Sequence, residues 1–164
     1  MIQPGESLPD ATLFEMTAEG PKPVEIEALT RGRRVVIFGL PGAFTPTCSA
    51  KHLPGYVSAA ERLKAKGIAE ILCVSVNDAF VMGAWAREQG AEGKIRLLAD
   101  GNADFCQALG LTLDLRERGM GIRCQRFSML VKDGVVKTLN VEAPGKFEVS
   151  DAETMLAQVE RLVG

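Results

Sequence analysis

A short run of apolar residues in the first third of the chain is the feature that most limits its fold. Residues 35–40 read Val-Val-Ile-Phe-Gly-Leu, between Arg31-Gly-Arg-Arg and Pro41-Gly. A continuous apolar run of this length, bounded by turn-forming residues, is typical of a strand that is covered on both of its faces. We therefore expect residues 35–40 to lie in the middle of a sheet rather than at its edge.

The rest of the chain alternates strand-like and helix-like segments. Strands are predicted at 70–76 and 95–99, helices at 49–66, 79–89 and 103–109, and a hairpin at 125–141 with Asp133-Gly134 at its turn. Pro54 is expected to kink the first helix. Asn77 or Asp78 can cap the second, and Ser150-Asp-Ala-Glu153 reads as a capping box for a last helix to Leu162.

This order of elements predicts an α/β protein with a mixed central sheet flanked by helices. A βαβ unit followed by ββα is the arrangement of the thioredoxin-like fold. The 164 residues and their 46% hydrophobic content suit one domain, 1–164, with an ordinary core.

Composition also argues against several classes of function. The net charge of −2, with no cluster of lysine and arginine, does not favour nucleic-acid binding. No apolar run approaches the length of a membrane span, and the first residues lack a signal-peptide pattern, so a cytoplasmic location is predicted. Four cysteines without a Cys-x-x-Cys pair, and one histidine, do not indicate a metal site. No Gly-x-Gly-x-x-Gly segment follows a strand, so no cofactor is predicted.

The chemistry of the chain points to Cys48. This cysteine lies where a predicted strand has ended and a helix begins, and helix N-termini stabilise the reactive thiolate. Thr45 places a hydroxyl three residues before it, and this hydroxyl can both donate and accept a hydrogen bond. Pro41 and Pro46 stiffen the loop. The residues flanking Cys48 include no second cysteine, which favours a single attacking thiolate over a dithiol exchange.

The segment Pro-x-x-x-Thr-x-x-Cys at 41–48 resembles the signature of the peroxiredoxins. The wider match, over 35–56, 75–81, 93–100, 125–131 and 133–137, is similar to the type II, or peroxiredoxin-five-like, subfamily. The resemblance implies a thiol-dependent peroxidase that reduces hydrogen peroxide and organic hydroperoxides. Cys48 would attack the peroxide and become a sulfenic acid.

The resemblance also implies roles for the neighbours of Cys48. Thr45 would hydrogen-bond the peroxide, Pro41 would shield the thiolate, and the backbone N–H groups of Thr47 and Cys48 would complete the binding site. Arg126 matches the family arginine, which can stabilise the charge that develops during attack. His52, four residues after Cys48, lies on the same predicted helix face and is expected to be a base, a neighbour of the site or an interface residue.

The thiol that restores Cys48 is the main question left open by the sequence. Some members of the subfamily carry a late second cysteine, but residues 140–149 contain none. Cys73 and Cys124 are the candidates for a resolving thiol: Cys73 by its position in other members, and Cys124 because a continuous strand over 122–131 would put it on the face of Arg126. Core positions are the alternative for both, and for Cys106.

We therefore predict a one-cysteine cycle with an external reductant, either glutathione with glutaredoxin or thioredoxin. The alternative is a redox relay or peroxide sensor that passes its oxidation to a partner protein. The resemblance further implies a homodimer that pairs through segments 44–48 and 77–85.

Overall fold

The apolar run at 35–40 becomes the central strand of a seven-stranded mixed sheet. The computed structural model describes residues 1–163. The strands are β1 Thr12–Thr17, β2 Gly20–Glu25, β3 Arg34–Leu40, β4 Glu70–Ser75, β5 Arg96–Ala99, β6 Thr112–Asp114, β7 Ile122–Cys124, β8 Phe127–Lys132 and β9 Val135–Val141. The large sheet has the order β2-β1-β5-β4-β3-β8-β9, in which β3, β4 and β5 are parallel and β8 runs antiparallel to β3. Strands β6 and β7 form a separate two-stranded sheet.

Five α-helices cover the two faces of the large sheet. They are α1 Ile26–Thr30, α2 Leu53–Ala65, α3 Ala79–Glu88, α4 Asp104–Leu109 and α5 Ala152–Val163. One face carries α2, α3 and α5 against Val36 and Phe38, and the other carries α1 and α4 against Val35 and Ile37. Successive side chains of β3 thus enter opposite cores, as expected for a strand covered on both faces. The predicted thioredoxin-like architecture is confirmed.

Local signals placed most turns and caps correctly. Asp133 and Gly134 both have positive φ, 49° and 75°, which is the conformation that a two-residue hairpin turn requires. Asp78 caps α3 by accepting a hydrogen bond from the Val81 N–H. The sequence predicts a kink at Pro54 inside the first helix. The structure instead has a π-helical turn, Cys48–His52, and α2 begins after it with Pro54 in its first turn, where a missing backbone N–H is tolerated.

The cap predicted at Ser150 is wrong. The carboxylate of Asp151 accepts hydrogen bonds from the N–H and hydroxyl of Thr154 and opens α5. The Ser150 hydroxyl instead donates to Glu142 at 2.7 Å, so it is not available to the helix. Among residues 1–163, no helix is both long enough and apolar enough to cross a membrane.

Candidate active site

The π-helical turn after β3 holds Cys48 at its start and His52 at its end. Helical backbone begins at Pro46, so Thr47 and Cys48 lie in a first turn, where N–H groups have no partner within the helix. Both Cys48 and His52 are completely buried. Single π-helical turns often mark functional sites, and this one directs both side chains to the same arginine.

Arg126 joins the two ends of the turn through its guanidinium group. Its Nη2 lies 3.2 Å from the Cys48 sulfur, and its Nη1 lies 3.0 Å from Nδ1 of His52. Arg126 stands in the irregular segment between β7 and β8, just before Phe127 begins β8. The guanidinium keeps its charge at any physiological pH, so this contact places a permanent positive charge beside the sulfur.

His52 is held as a neutral imidazole. Its Nε2 lies 3.1 Å from the Ser150 carbonyl, so Nε2 must donate there and Nδ1 must accept from Arg126. Burial, with a further contribution from the charge of Arg126, lowers the pKa of His52 to about 3. The ring therefore stays uncharged at neutral pH, and a role as a base that gains a proton there does not fit this environment.

The loop from Pro41 to Thr45 forms another wall of the site. The Thr45 hydroxyl donates to the Gly42 carbonyl at 2.7 Å, so its proton is committed and only its lone pairs remain for a substrate. Asn77, at the end of β4, accepts hydrogen bonds from the Ala43 N–H and the Ser75 hydroxyl. The loop is thus anchored to the neighbouring strand.

Arg123 is a residue of the site that the sequence did not indicate. Its Nη1 donates to the Pro41 carbonyl at 3.2 Å, and its Nε donates to the Met120 carbonyl at 2.7 Å. A side chain at Gly42 would place its Cβ 2.7 Å from the same Nη1, so Gly42 leaves room for this arginine. The spacing of three residues between Arg123 and Arg126 matches no strand periodicity, and no local pattern could have identified the contact.

Glu142 is a second residue that only the structure reveals. Its carboxylate accepts four hydrogen bonds of 2.7–2.9 Å from the backbone of Glu148, Val149 and Ser150 and from the Ser150 hydroxyl, with a fifth contact to Glu148 N–H through its other oxygen. Burial alone would raise the pKa of Glu142, but these hydrogen bonds outweigh it and lower the pKa. The loop is therefore fixed with the Ser150 carbonyl facing His52.

Comparison with known proteins identifies the family of this chain. The model of the Redoxin family matches residues 3–156. Peroxiredoxin-2E of Arabidopsis thaliana, a chloroplastic protein, is 49% identical over 159 residues, which cover 94% of this chain and 68% of that protein. The chain belongs to the peroxiredoxins. It is accordingly a thiol peroxidase, an oxidoreductase that uses thiols to reduce peroxide, and the predicted type II subfamily is confirmed.

Solved structures show the same relationship. Reduced Prx3 from Vibrio vulnificus, solved in complex with hydrogen peroxide, is 55% identical, has a TM-score of 0.93 and matches 97% of this chain and 99% of its own. A Burkholderia cenocepacia protein with the provisional name thioredoxin reductase is 62% identical, with a TM-score of 0.94 and coverage of 96% and 97%. Its name differs from the family that the other comparisons give.

The other three cysteines of this peroxiredoxin are free and completely buried. Cys73 lies on β4 in the same core as Cys48, and burial, with Cys48 and Cys124 adding to it, raises its pKa. Cys106 and Cys124 lie in the other core.

The continuous strand over 122–131 that would put Cys124 and Arg126 on one face is not formed. Strand β7 ends at Cys124 and β8 begins at Phe127, so the alternation of side chains is broken between them. Cys124 consequently packs in the core opposite that of Cys48.

Proposed function

We propose that Cys48 is the thiol of this peroxiredoxin that attacks the peroxide, with hydrogen peroxide and organic hydroperoxides as substrates. The observation that carries the proposal is the 3.2 Å contact between Arg126 Nη2 and the Cys48 sulfur. A complex of the similar Vibrio protein with hydrogen peroxide supports the choice of substrate.

In the proposed first step, the Cys48 thiolate forms a bond to one peroxide oxygen while the O–O bond breaks. The other oxygen leaves as hydroxide or alkoxide and takes up a proton to become water or an alcohol. Sulfur is oxidised to the sulfenic acid and the peroxide is reduced. Arg126 can stabilise the negative charge as it moves from sulfur to the leaving oxygen. Thr45 can accept the hydrogen bond of the peroxide O–H, because its own proton is donated to Gly42.

We further propose a one-cysteine cycle with an external thiol reductant, either glutathione with glutaredoxin or thioredoxin. The reductant thiol attacks the sulfenic sulfur, water leaves, and a second thiol releases Cys48 from the mixed disulfide. Two observations support this cycle. Cys73, Cys106 and Cys124 are buried, and burial raises the pKa of Cys73, which disfavours its nucleophilic thiolate form.

Two variants test these assignments. Cys48→Ser should abolish peroxide turnover. Replacing Cys73, Cys106 and Cys124 together by alanine should preserve turnover with glutathione and glutaredoxin or with thioredoxin, once circular dichroism shows that the variant is folded. Turnover that persists in Cys48→Ser would contradict the role of Cys48, and a folded triple variant that reacts once and then stops would contradict the one-cysteine cycle.

The same assay separates a peroxidase from a redox relay. A relay would be oxidised at Cys48 by peroxide but would turn over only when its specific partner protein is present. We also propose that the chain forms a homodimer through segments 44–48 and 77–85, where Phe44 and Phe80 are 51% and 67% exposed. The cytoplasmic location stays a prediction.

A further inference from the structure

Arg126 is not held by a carboxylate, the group that most often fixes the direction of an arginine side chain in a site. Among residues 1–163, no carboxylate lies within 4.0 Å of its guanidinium group. Its two side-chain hydrogen bonds go to the Cys48 sulfur and to Nδ1 of His52. A guanidinium group has five N–H donors on a long and mobile side chain, so the contact to sulfur by itself does not fix its direction.

The imidazole ring of His52 is fixed by aromatic contacts and by hydrogen bonds. Its ring lies 4.9 Å from that of Phe38 and 5.1 Å from that of Phe147, and the Phe147 ring also covers the Arg126 guanidinium at 5.9 Å. The Ser150 carbonyl accepts a hydrogen bond from Nε2–H, and the Ser150 hydroxyl donates to the Glu142 carboxylate. An imidazole fixed in this way presents Nδ1 in one direction.

We propose that His52 is a positioning residue that directs Arg126 to the sulfur of Cys48 through the Nη1–Nδ1 hydrogen bond. Two guanidinium nitrogens then donate hydrogen bonds: Nη1 to His52 and Nη2 to the reacting sulfur. The neutral ring fixes the direction of Arg126 while leaving its positive charge intact for the thiolate and the leaving oxygen. The inference rests on the proposed role of Cys48.

Two substitutions separate the two hydrogen bonds of His52. In His52→Asn the amide oxygen can take the place of Nδ1 and accept from Arg126, while the bond to Ser150 is lost. In His52→Gln the amide nitrogen can take the place of Nε2 and donate to Ser150, while Arg126 loses its acceptor. Each variant loses the imidazole ring and one of its two hydrogen bonds. In His52→Asn the Ser150 carbonyl still accepts from the Tyr56 hydroxyl at 3.2 Å, so the free energy of unfolding of both variants is measured beside their reactivity.

The measurement is the reactivity of Cys48, read by iodoacetamide alkylation with mass-spectrometric identification of the labelled cysteine and by the rate constant for peroxide. We expect His52→Gln to lower both rates by about tenfold, and His52→Asn to stay within about threefold of the wild type. In an Arg126→Gln background, His52→Gln should have no further effect. Equal losses in the two variants, or a loss that persists without Arg126, would overturn the proposal.

A measurement without any variant gives a second check. His52 is the only histidine of the chain, so ¹⁵N-histidine labelling gives a single imidazole in the NMR spectrum. We expect Nε2 protonated and Nδ1 unprotonated at neutral pH. A proton on Nδ1 would overturn the proposal. These results are distinct from a failure of the proposed function, which would appear as peroxide turnover in Cys48→Ser.

Discussion

At the scale of single residues, the site depends on groups whose hydrogen-bonding capacity is already divided among neighbours. The Thr45 hydroxyl donates its hydrogen bond to the Gly42 carbonyl, and the Arg126 guanidinium contacts both Cys48 and His52. These contacts determine what each residue can offer a substrate. Thr45 offers the lone pairs of its hydroxyl oxygen, and Arg126 offers its positive charge beside the sulfur. Arg123 fixes the loop in a similar way, because its Nη1 donates a hydrogen bond to the Pro41 carbonyl.

Arg123→Lys should therefore loosen the loop that covers Cys48. A lysine ammonium is a single point of charge and cannot reproduce the two contacts that Nε and Nη1 make to Met120 and Pro41. We expect the rate constant for peroxide to fall by about tenfold, with a smaller change in stability. The same substitution at exposed Arg118 is the matched control and should leave the rate unchanged. A normal rate in Arg123→Lys would show that the contact to Pro41 has no part in catalysis.

At the scale of elements, the site is placed by the carboxyl end of β3 and by its neighbours. Pro41 follows β3, Asn77 follows β4, and Arg126 precedes β8, which pairs with β3. Gly39 pairs with Phe127 across β3 and β8, and a Cβ at Gly39 would lie 2.2 Å from the Phe127 ring. The strand that carries the catalytic loop is therefore packed closely against the strand that follows Arg126.

Gly39→Ala should destabilise the protein because the Phe127 ring, which is completely buried, must move. We expect a loss of about 1–3 kcal/mol in the free energy of unfolding, measured by urea denaturation, and a slower reaction with peroxide. Gly55→Ala is the matched control: Gly55 lies in α2 with nothing within 4 Å of its Cβ position, so alanine should stabilise by about 0.5–1 kcal/mol. An unchanged stability in Gly39→Ala would contradict the close packing of β3 on β8.

The loop from Glu142 to Ser150 should be sensitive to acid. The pKa of Glu142 is lowered in the folded protein, so its contribution to stability is present above pH 4.5 and is lost as the pH falls through the lowered pKa. Glu142→Gln should cost about 2 kcal/mol at neutral pH, and its difference from the wild type should shrink in acid.

Urea denaturation between neutral pH and acid measures this difference. His52 adds a separate acid dependence, because its pKa falls from 6.5 to about 3 on folding, so that stability rises with pH between these values. Because the charge of Glu142 also raises the pKa of His52, the comparison is repeated in a His52→Gln background, where the difference isolates Glu142. A difference that stays constant with pH would contradict the assignment.

At the scale of the whole molecule, two exposed aromatic side chains, Phe44 and Phe80, lie on the active-site loop and on the neighbouring helix α3. Phe44 is 51% exposed, and its ring lies 6.4 Å from that of buried Trp85 on α3, which also carries exposed Phe80. Trp85 donates its indole N–H to the hydroxyl of Ser49, the residue after Cys48. A partner bound on this surface would therefore contact the elements that hold the π-helical turn.

Phe80→Glu should convert the proposed homodimer into a monomer, because it places a charge in an apolar interface. Sedimentation equilibrium measures the change in mass. Phe14→Glu is the control, since Phe14 is also exposed, at 43%, but lies on β1 outside the segments proposed for the interface. A wild-type protein that is monomeric at all concentrations, or a Phe80→Glu variant that stays dimeric, would contradict this surface as the interface.

From the sequence alone we predict the α/β class, the central strand, the order of the main elements from β3 onward apart from β6 and β7, and the position of Cys48. These follow from local signals: an apolar run at 35–40, turn residues at Asp133-Gly134, and a cysteine at a helix start. Arg126 was found from the motif that it shares with a family, and not from periodicity.

The contacts that fix Arg126, His52 and the Pro41 loop around Cys48 became visible with the three-dimensional structure. Arg123, Glu142 and the carbonyl of Ser150 act through backbone groups and long side chains that meet across the fold, and such contacts leave no periodic pattern in a sequence. The side on which Cys124 packs was also unpredictable, because two irregular residues between β7 and β8 break the alternation of side chains. Cys48 could be recognised alone, but its orientation relative to Arg126 and His52 depends on three segments that are distant along the chain.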